Sequence, residues 1–111
     1  MRIMIFAIHC MDKADCADVR ASAQSDHAHY MRKHASRIVF GGPLLDKDGV
    51  TRIGVLMVVD CGDTSELEQF LQNEPYHLAG LFAQVTISGF SLVMHSLASF
   101  HPSTHGSKYA G

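Results

Sequence analysis

The sequence predicts an α+β fold with the element order β-α-β-β-α-β, and three observations carry that reading. From about Asp15 to Arg37, Val19, Ala23, His27, Tyr30, Met31, His34 and Ile38 recur at steps of three and four, the spacing of one helix face. Ile53 to Asp60 (IGVLMVVD) is a strongly β-forming run. Between them, Asp46-Lys47-Asp48-Gly49 has the composition of a hairpin turn, so this run returns antiparallel to the strand before it. The order is that of the ferredoxin-like split βαβ, in which two helices cover one face of a four-stranded antiparallel sheet.

The first strand is read in Met1 to Cys10. A cation precedes an apolar run there, as in a signal peptide, but the run is short and passes into Asp12-Lys13 without a small-x-small cleavage site. A strand buried on both faces, or at a dimer interface, accounts for it. In the first helix, Arg32, Lys33 and Arg37 crowd the last turns, where cations are favoured by the helix dipole; an anion site is the competing reading. Ile38-Val39-Phe40 is a strand expected to end or bend at Gly41-Gly42-Pro43. The second helix opens at Asp63-Thr64-Ser65-Glu66 or at Ser65-Glu66-Leu67-Glu68, since both have capping-box spacing. It continues through Leu67, Phe70 and Leu71 until Asn73-Glu74-Pro75 interrupts it. Proline suits a first helical turn, so a short helix begins there and stops at Gly80. The last strand spans about Phe82 to Met94. After Leu97 the chain turns polar (His101-Pro102-Ser103-Thr104-His105-Gly106-Ser107), which divides it into a domain over 1–96 and a flexible tail over 97–111.

Composition narrows the function. A chain of 111 residues, 47% hydrophobic and 18% charged, fits one ordinary globular domain. A net charge of −2 and a pI near 6.4 argue against a nucleic-acid surface. No stretch approaches the roughly 20 apolar residues that span a bilayer. Cys10, Cys16 and Cys61 are odd in number and lack CxxC spacing, so neither a disulfide framework nor a zinc knuckle is indicated and a reducing cytoplasm is the expected home. Two helices leave one sheet face bare. Both faces of Ile53–Asp60 are apolar, so a second copy packing sheet against sheet, a homodimer, is the expected cover.

Two phrases place a titratable group beside an apolar run: His27-Ala28-His29-Tyr30-Met31 and Glu74-Pro75-Tyr76-His77-Leu78. An imidazole and a carboxylate meeting across a small pocket would suit proton transfer, because imidazole takes and returns protons near neutral pH and a carboxylate orients its tautomer. Each residue has a structural alternative. His27 could be a hydrogen-bonded core residue, and Glu74 a helix cap. Arg20 could hold a substrate anion or an ion pair. Tyr76 could line the pocket or simply pack, and Asp12 competes with Glu74 as the partner of His27. Gly42 and Pro43 would shape the wall, with glycine permitting a close backbone approach. His27 and His34 are not an i, i+4 metal pair, and no Ser-His-Asp or Cys-His pattern appears, so neither metal nor cofactor is expected.

Taken together in order, Arg20 before His27, His27-x-x-Tyr30, Phe40-x-Gly42-Pro43-Leu44 followed by Asp48-Gly49, and Pro75-Tyr76-x-x-Ala79-Gly80-Leu81-Phe82 resemble the YciI-like (YCII-related) proteins of the dimeric α+β barrel superfamily. The resemblance runs from the first strand to about Phe90. Where that family usually has Asp-Pro-Tyr, this chain has Glu74-Pro75-Tyr76, a carboxylate longer by one methylene. The resemblance implies an active site around His27 and Glu74, acid/base chemistry on small organic acids, phenols or quinone-like compounds, and no metal. Two functions follow as expectations. One is a cofactor-independent enzyme of isomerase, lyase or dehydrohalogenase type, with Arg20, Gly42, Pro43 and Tyr76 around the substrate. The other is a small-metabolite-binding or accessory protein whose histidine only hydrogen-bonds.

Overall fold

A computed structural model describes residues 4–94. The elements are β1 (Met4–Asp12), α1 (Ala17–Lys33), β2 (Ile38–Leu45), β3 (Arg52–Cys61), α2 (Thr64–Gln72), α3 (Pro75–Leu78) and β4 (Phe82–Gly89), with a 3-10 turn, Ala35–Arg37, before β2. The four strands form one sheet in the order β2-β3-β1-β4, with every neighbouring pair antiparallel. This is the expected ferredoxin-like arrangement. Its central pair runs in register from Met4 opposite Cys61 to Met11 opposite Gly54.

Strand alternation decides where the core lies. Phe6, Ile8 and Cys10 of β1 share a face with their partners Val59, Met57 and Val55 of β3. Leu67 and Phe70 of α2, together with Tyr76 and Leu81, close over that face, and all of these side chains are buried. Each such aliphatic or aromatic burial contributes about 1.5–3 kcal/mol. The opposite face carries Ala7, Leu56 and Val58 beside the exposed His9. β1 is therefore not buried on both faces within the protomer. On the helix side, Val85 and Ile87 of β4 remain partly exposed, because α2 does not reach this edge strand.

Local chemistry explains the caps and turns. Asp63 Oδ1 accepts from the Glu66 amide at 2.9 Å, so the first of the two capping boxes is the one used, while Glu66 reaches back to the Gly62 amide. In the β2–β3 turn, Gly49 takes a positive φ of 74° and donates to Asp46 O, and Asp48 Oδ1 accepts from the Val50 and Thr51 amides.

Three boundaries differ from expectation. α1 ends at Lys33, where His34 leaves helical geometry (φ −106°, ψ 21°), so Ile38 belongs to β2 rather than to the helical stripe. β2 does not stop at Gly41 but pairs as far as Leu45. As an edge strand it tolerates Pro43, which has no amide hydrogen to offer a ladder. β4 ends at Gly89. The tail expected over 97–111, and His95, His101 and His105, lie outside the described residues. Among the described residues, no helix is long and apolar enough to cross a membrane.

Candidate active site

The inward stripe of α1 is unusually polar, since its buried residues are Arg20 and Ala23, with His27 partly buried one turn further on. A helix that spends core-facing positions on cationic and titratable side chains needs partners for them. β1 and the α2–α3 junction supply those partners.

α3 is held tightly for an element of four residues. Pro75 stands at its first position, and the Glu74 carboxylate accepts from the His77 amide at 3.1 Å as a side-chain N-cap. At the other end, Gly80 (φ 73°) donates to His77 O and Leu81 donates to Tyr76 O, the pair of bonds that makes a Schellman stop. The other Glu74 oxygen, Oε1, shares a hydrogen bond with Nδ1 of His27. Glu74 is 1% exposed, so this carboxylate is withdrawn from water and satisfied by an imidazole and an amide.

Tyr76 completes the assembly. Its ring stacks on His27 with centroids 4.0 Å apart and planes 17° from parallel, and the Arg20 guanidinium carbon lies 4.8 Å from its centroid. Arg20 donates to both oxygens of Asp12, at 2.7 and 3.1 Å, and to Gly54 O at 2.9 Å. Its ion-pair role is thus realised, and Asp12 serves Arg20 rather than His27.

Burial sets the protonation of the neighbours. The Tyr76 hydroxyl is pushed above its ordinary value, chiefly by burial, although Arg20 pulls the other way. Burial also drives the Cys10 thiol up to about 12, with the Glu74 and Asp12 charges adding to it, so Cys10 is a neutral thiol and not a nucleophile. Burial works against the Arg20 charge, but Asp12 outweighs it and holds Arg20 protonated.

A cavity of about 250 Å³ opens between α1 and the β2–β3 edge of the sheet. His27, Arg20 and Tyr76 form one wall; Gly42 and Pro43 are on the β2 side; Val55 and Met57 are on its floor. Every residue expected to touch a substrate therefore borders one space. Glu74 does not line it and instead faces a second space of about 270 Å³ between α2 and β4, so the carboxylate lies behind the imidazole as seen from the first cavity. The close backbone approach assigned to Gly42 belongs to its neighbour. A Cβ at Gly42 would meet nothing within 4 Å, whereas one at Gly41 would fall 3.0 Å from Leu56 O. Sequence reasoning passed over Arg52, which also lines the cavity. A cation at the mouth of β3, directly after the hairpin turn, was the available signal. His29 is exposed, and His34 packs against Tyr30 and Phe70. Among the described residues, no three His, Cys, Asp or Glu side chains are grouped to hold a metal ion.

The His27 imidazole, hydrogen-bonded through Nδ1 to a buried carboxylate, thus borders the first cavity. Sheet order and helix placement define a ferredoxin-like α+β protomer. The chain belongs to the YCII-related domain family, whose model matches residues 4–91. No curated protein matches the sequence. Among solved structures, the fold is shared with the 5-chloro-2-hydroxyhydroquinone dehydrochlorinase TftG of Burkholderia phenoliruptrix AC1100, in complex with 2,5-dihydroxybenzoquinone; the two are 24% identical over 79% of this chain and 94% of that one, with a TM-score of 0.73. PA3566 of Pseudomonas aeruginosa is 12% identical over 85% and 97% of the two chains (TM-score 0.53). An antibiotic biosynthesis monooxygenase is 11% identical over 84% and 100% (TM-score 0.51). At these identities the likeness is one of fold.

Proposed function

We propose that this chain is a small cofactor-independent enzyme in which His27 moves a proton on a compact organic acid, phenol or quinone-like molecule. The observation that carries the reading is the hydrogen bond between the buried Glu74 and Nδ1 of His27, whose ring borders the cavity. Glu74 accepts the Nδ1 proton, which leaves Nε2 with its lone pair. A substrate C–H or O–H proton passes to Nε2, and the carboxylate stabilises the imidazolium so formed. Return of that proton at a different atom gives isomerisation. Departure of a leaving group with its electron pair gives elimination, and where the group is halide, dehydrohalogenation. Glu74, Tyr76 and Arg20 hold the base and its surroundings. That one structure of this fold is a dehydrochlorinase bound to a dihydroxybenzoquinone supports the substrate class by fold-level analogy.

The reading includes a homodimer formed through the sheet face away from the helices, where Ala7 and Leu56 are half-buried and His9 is exposed. It takes 1–96 as the folded domain with 97–111 as a tail, and the cytoplasm as the compartment, where three unpaired thiols are stable. One observation favours a second reading, that of a metabolite-binding protein: Glu74 also caps α3, so the pair has a structural use without catalysis.

The test is a panel of chlorinated hydroquinones and hydroxybenzoquinones, followed by chloride release and absorbance, on the wild type and on His27→Gln. Turnover that falls by about 10²–10⁴ in a variant with unchanged circular dichroism and elution volume is the expected result. Turnover that survives His27→Gln overturns the assignment. No turnover on any member, with a small molecule co-purifying unaltered, moves the protein to the binding reading.

A further inference from the structure

The second cavity, of about 270 Å³ between α2 and β4, is separate from the space that His27 borders. Its walls are largely apolar, with Leu71 from α2 and Phe82, Val85 and Ile87 from β4. Val85 and Ile87 are 38% and 44% exposed, so the space opens to solvent beside the edge strand. Two carboxylates border it, the buried Glu74 and the exposed Glu68 of α2, and no arginine or lysine is among the described residues that do. Gln72 and His77 complete the border. Each Glu74 oxygen has one partner, Oε1 with Nδ1 of His27 and Oε2 with the His77 amide, whereas an ionised carboxylate has about four acceptor positions. Acceptor capacity therefore remains on a buried charge that faces an open space. The Cys10 thiol, 0% exposed, borders the same space with no hydrogen-bond partner among the described residues. After burial, the Glu74 charge is the next cause of that thiol's rise, which registers a negative field on this side of the sheet.

We infer that this second cavity binds a compact organic cation, a primary ammonium on an apolar body, with the ammonium donating to Glu74, the body packed on Leu71, Val85 and Ile87, and Glu68 adding its charge at the mouth. A cation gains from both carboxylates, an anion would meet two like charges, and a neutral molecule has only the apolar walls and an uncharged hydrogen bond to offer. A cavity of about 150 Å³ holds benzene, so about 270 Å³ suits one ring with a short amine arm. Because Glu74 also holds His27, a cation bound here shares its carboxylate with the imidazole and sits behind it as seen from the first cavity. The site is a second one, and it does not depend on turnover.

Benzylamine and benzyl alcohol, alike in shape and different in charge at pH 7.5, test it when titrated into the full-length protein, with dissociation constants and shift maps read from two-dimensional NMR spectra. The amine should bind about fivefold or more tightly than the alcohol. It should move the signals of Leu71, Val85 and Ile87 and leave those of Met31, Gly41 and Gly42 in place. Glu68→Lys, at an exposed helical position, should cut the amine's advantage to within about twofold while the alcohol binds as before. Val85→Phe narrows the mouth with a residue suited to a strand and should weaken both probes. Should it lose its native spectrum, Ile87→Phe replaces it. Equal affinities, no saturable binding of the amine, or shifts confined to the first cavity overturn the inference, as does an amine advantage unchanged in Glu68→Lys or binding unchanged in the phenylalanine variant. Turnover by a wild type that binds no amine overturns this site alone, and amine binding by a protein that turns nothing over upholds it.

Discussion

His27 and Glu74, 47 residues apart in the chain, share one hydrogen bond in which an imidazole nitrogen on a long helix meets a carboxylate that also caps a four-residue helix. The carboxylate thus has two jobs, and substitutions separate them. Glu74→Ala removes the acceptor of the His77 amide and the partner of His27 together, and should lower unfolding free energy by about 1–3 kcal/mol in urea denaturation. Glu74→Gln keeps an acceptor for the amide, so its loss of stability should be smaller. A Glu74→Gln protein as unstable as Glu74→Ala would show that the charge, rather than the cap, holds α3.

Gly54 and Gly42 should respond in opposite ways to alanine. A Cβ at Gly54 would lie 2.2 Å from Cys10 O, backbone against backbone, at a residue whose own carbonyl receives Arg20. Gly54→Ala must push β1 and β3 apart and should cost about 3 kcal/mol or more in thermal melting. Gly42→Ala meets nothing within 4 Å and should stay within about 0.5 kcal/mol of the wild type.

The Arg20–Asp12 pair has side chains only 10% and 11% exposed, so breaking it strands a charge. Arg20→Ala should cost about 3–5 kcal/mol, and replacing both residues by apolar ones of similar size should cost less than replacing Arg20 alone. A double-mutant cycle measures this. Additive single losses would mean that the pair contributes no coupling.

Thiol chemistry should read burial directly. Cys10 and Cys61 are buried and burial pushes both thiols up, while Cys16 at the start of α1 is half-buried. At pH 8 an aromatic disulfide reagent should modify Cys16 quickly and the other two only at the rate of unfolding.

Alkaline stability follows with a definite sign. Cys10 has an ordinary value of 9.0 when unfolded and about 12 when folded. Between these values the native chain binds more protons than the unfolded chain, so stability is full below pH 9 and falls as pH rises toward 12. Tyr76, also raised by burial, acts in the same direction above its ordinary value of 10.0. Urea midpoints measured from pH 8 to pH 11 should therefore decline, and the decline should lessen in Cys10→Ala.

The parts legible in the sequence are those governed by neighbours in the chain. The helical spacing of α1, a cap at the start of α2, the Asp46–Gly49 turn and the Pro75–Gly80 segment all depend on contacts within a few residues, and each element forms, α1 over Ala17–Lys33 and the cap at Asp63. The end of α1 and the full length of β2 are not legible for the complementary reason. Residues 38–45 gain their hydrogen bonds from β3, so pairing extends the strand past glycines and a proline that locally signal a stop.

By itself, then, the sequence determined the fold class and the two phrases that carry His27 and Glu74, because amphipathic period and capping chemistry are written in adjacent residues. Tertiary structure alone decided how the polar residues are matched: Asp12 with Arg20, Glu74 with His27, Tyr76 beneath both His27 and Arg20, and Arg52 at the cavity across from α1. A titratable side chain acquires its role from the charge or ring a few ångströms away, and in this fold that neighbour comes from another element of the chain, brought there by the docking of α1 and α3 on the sheet.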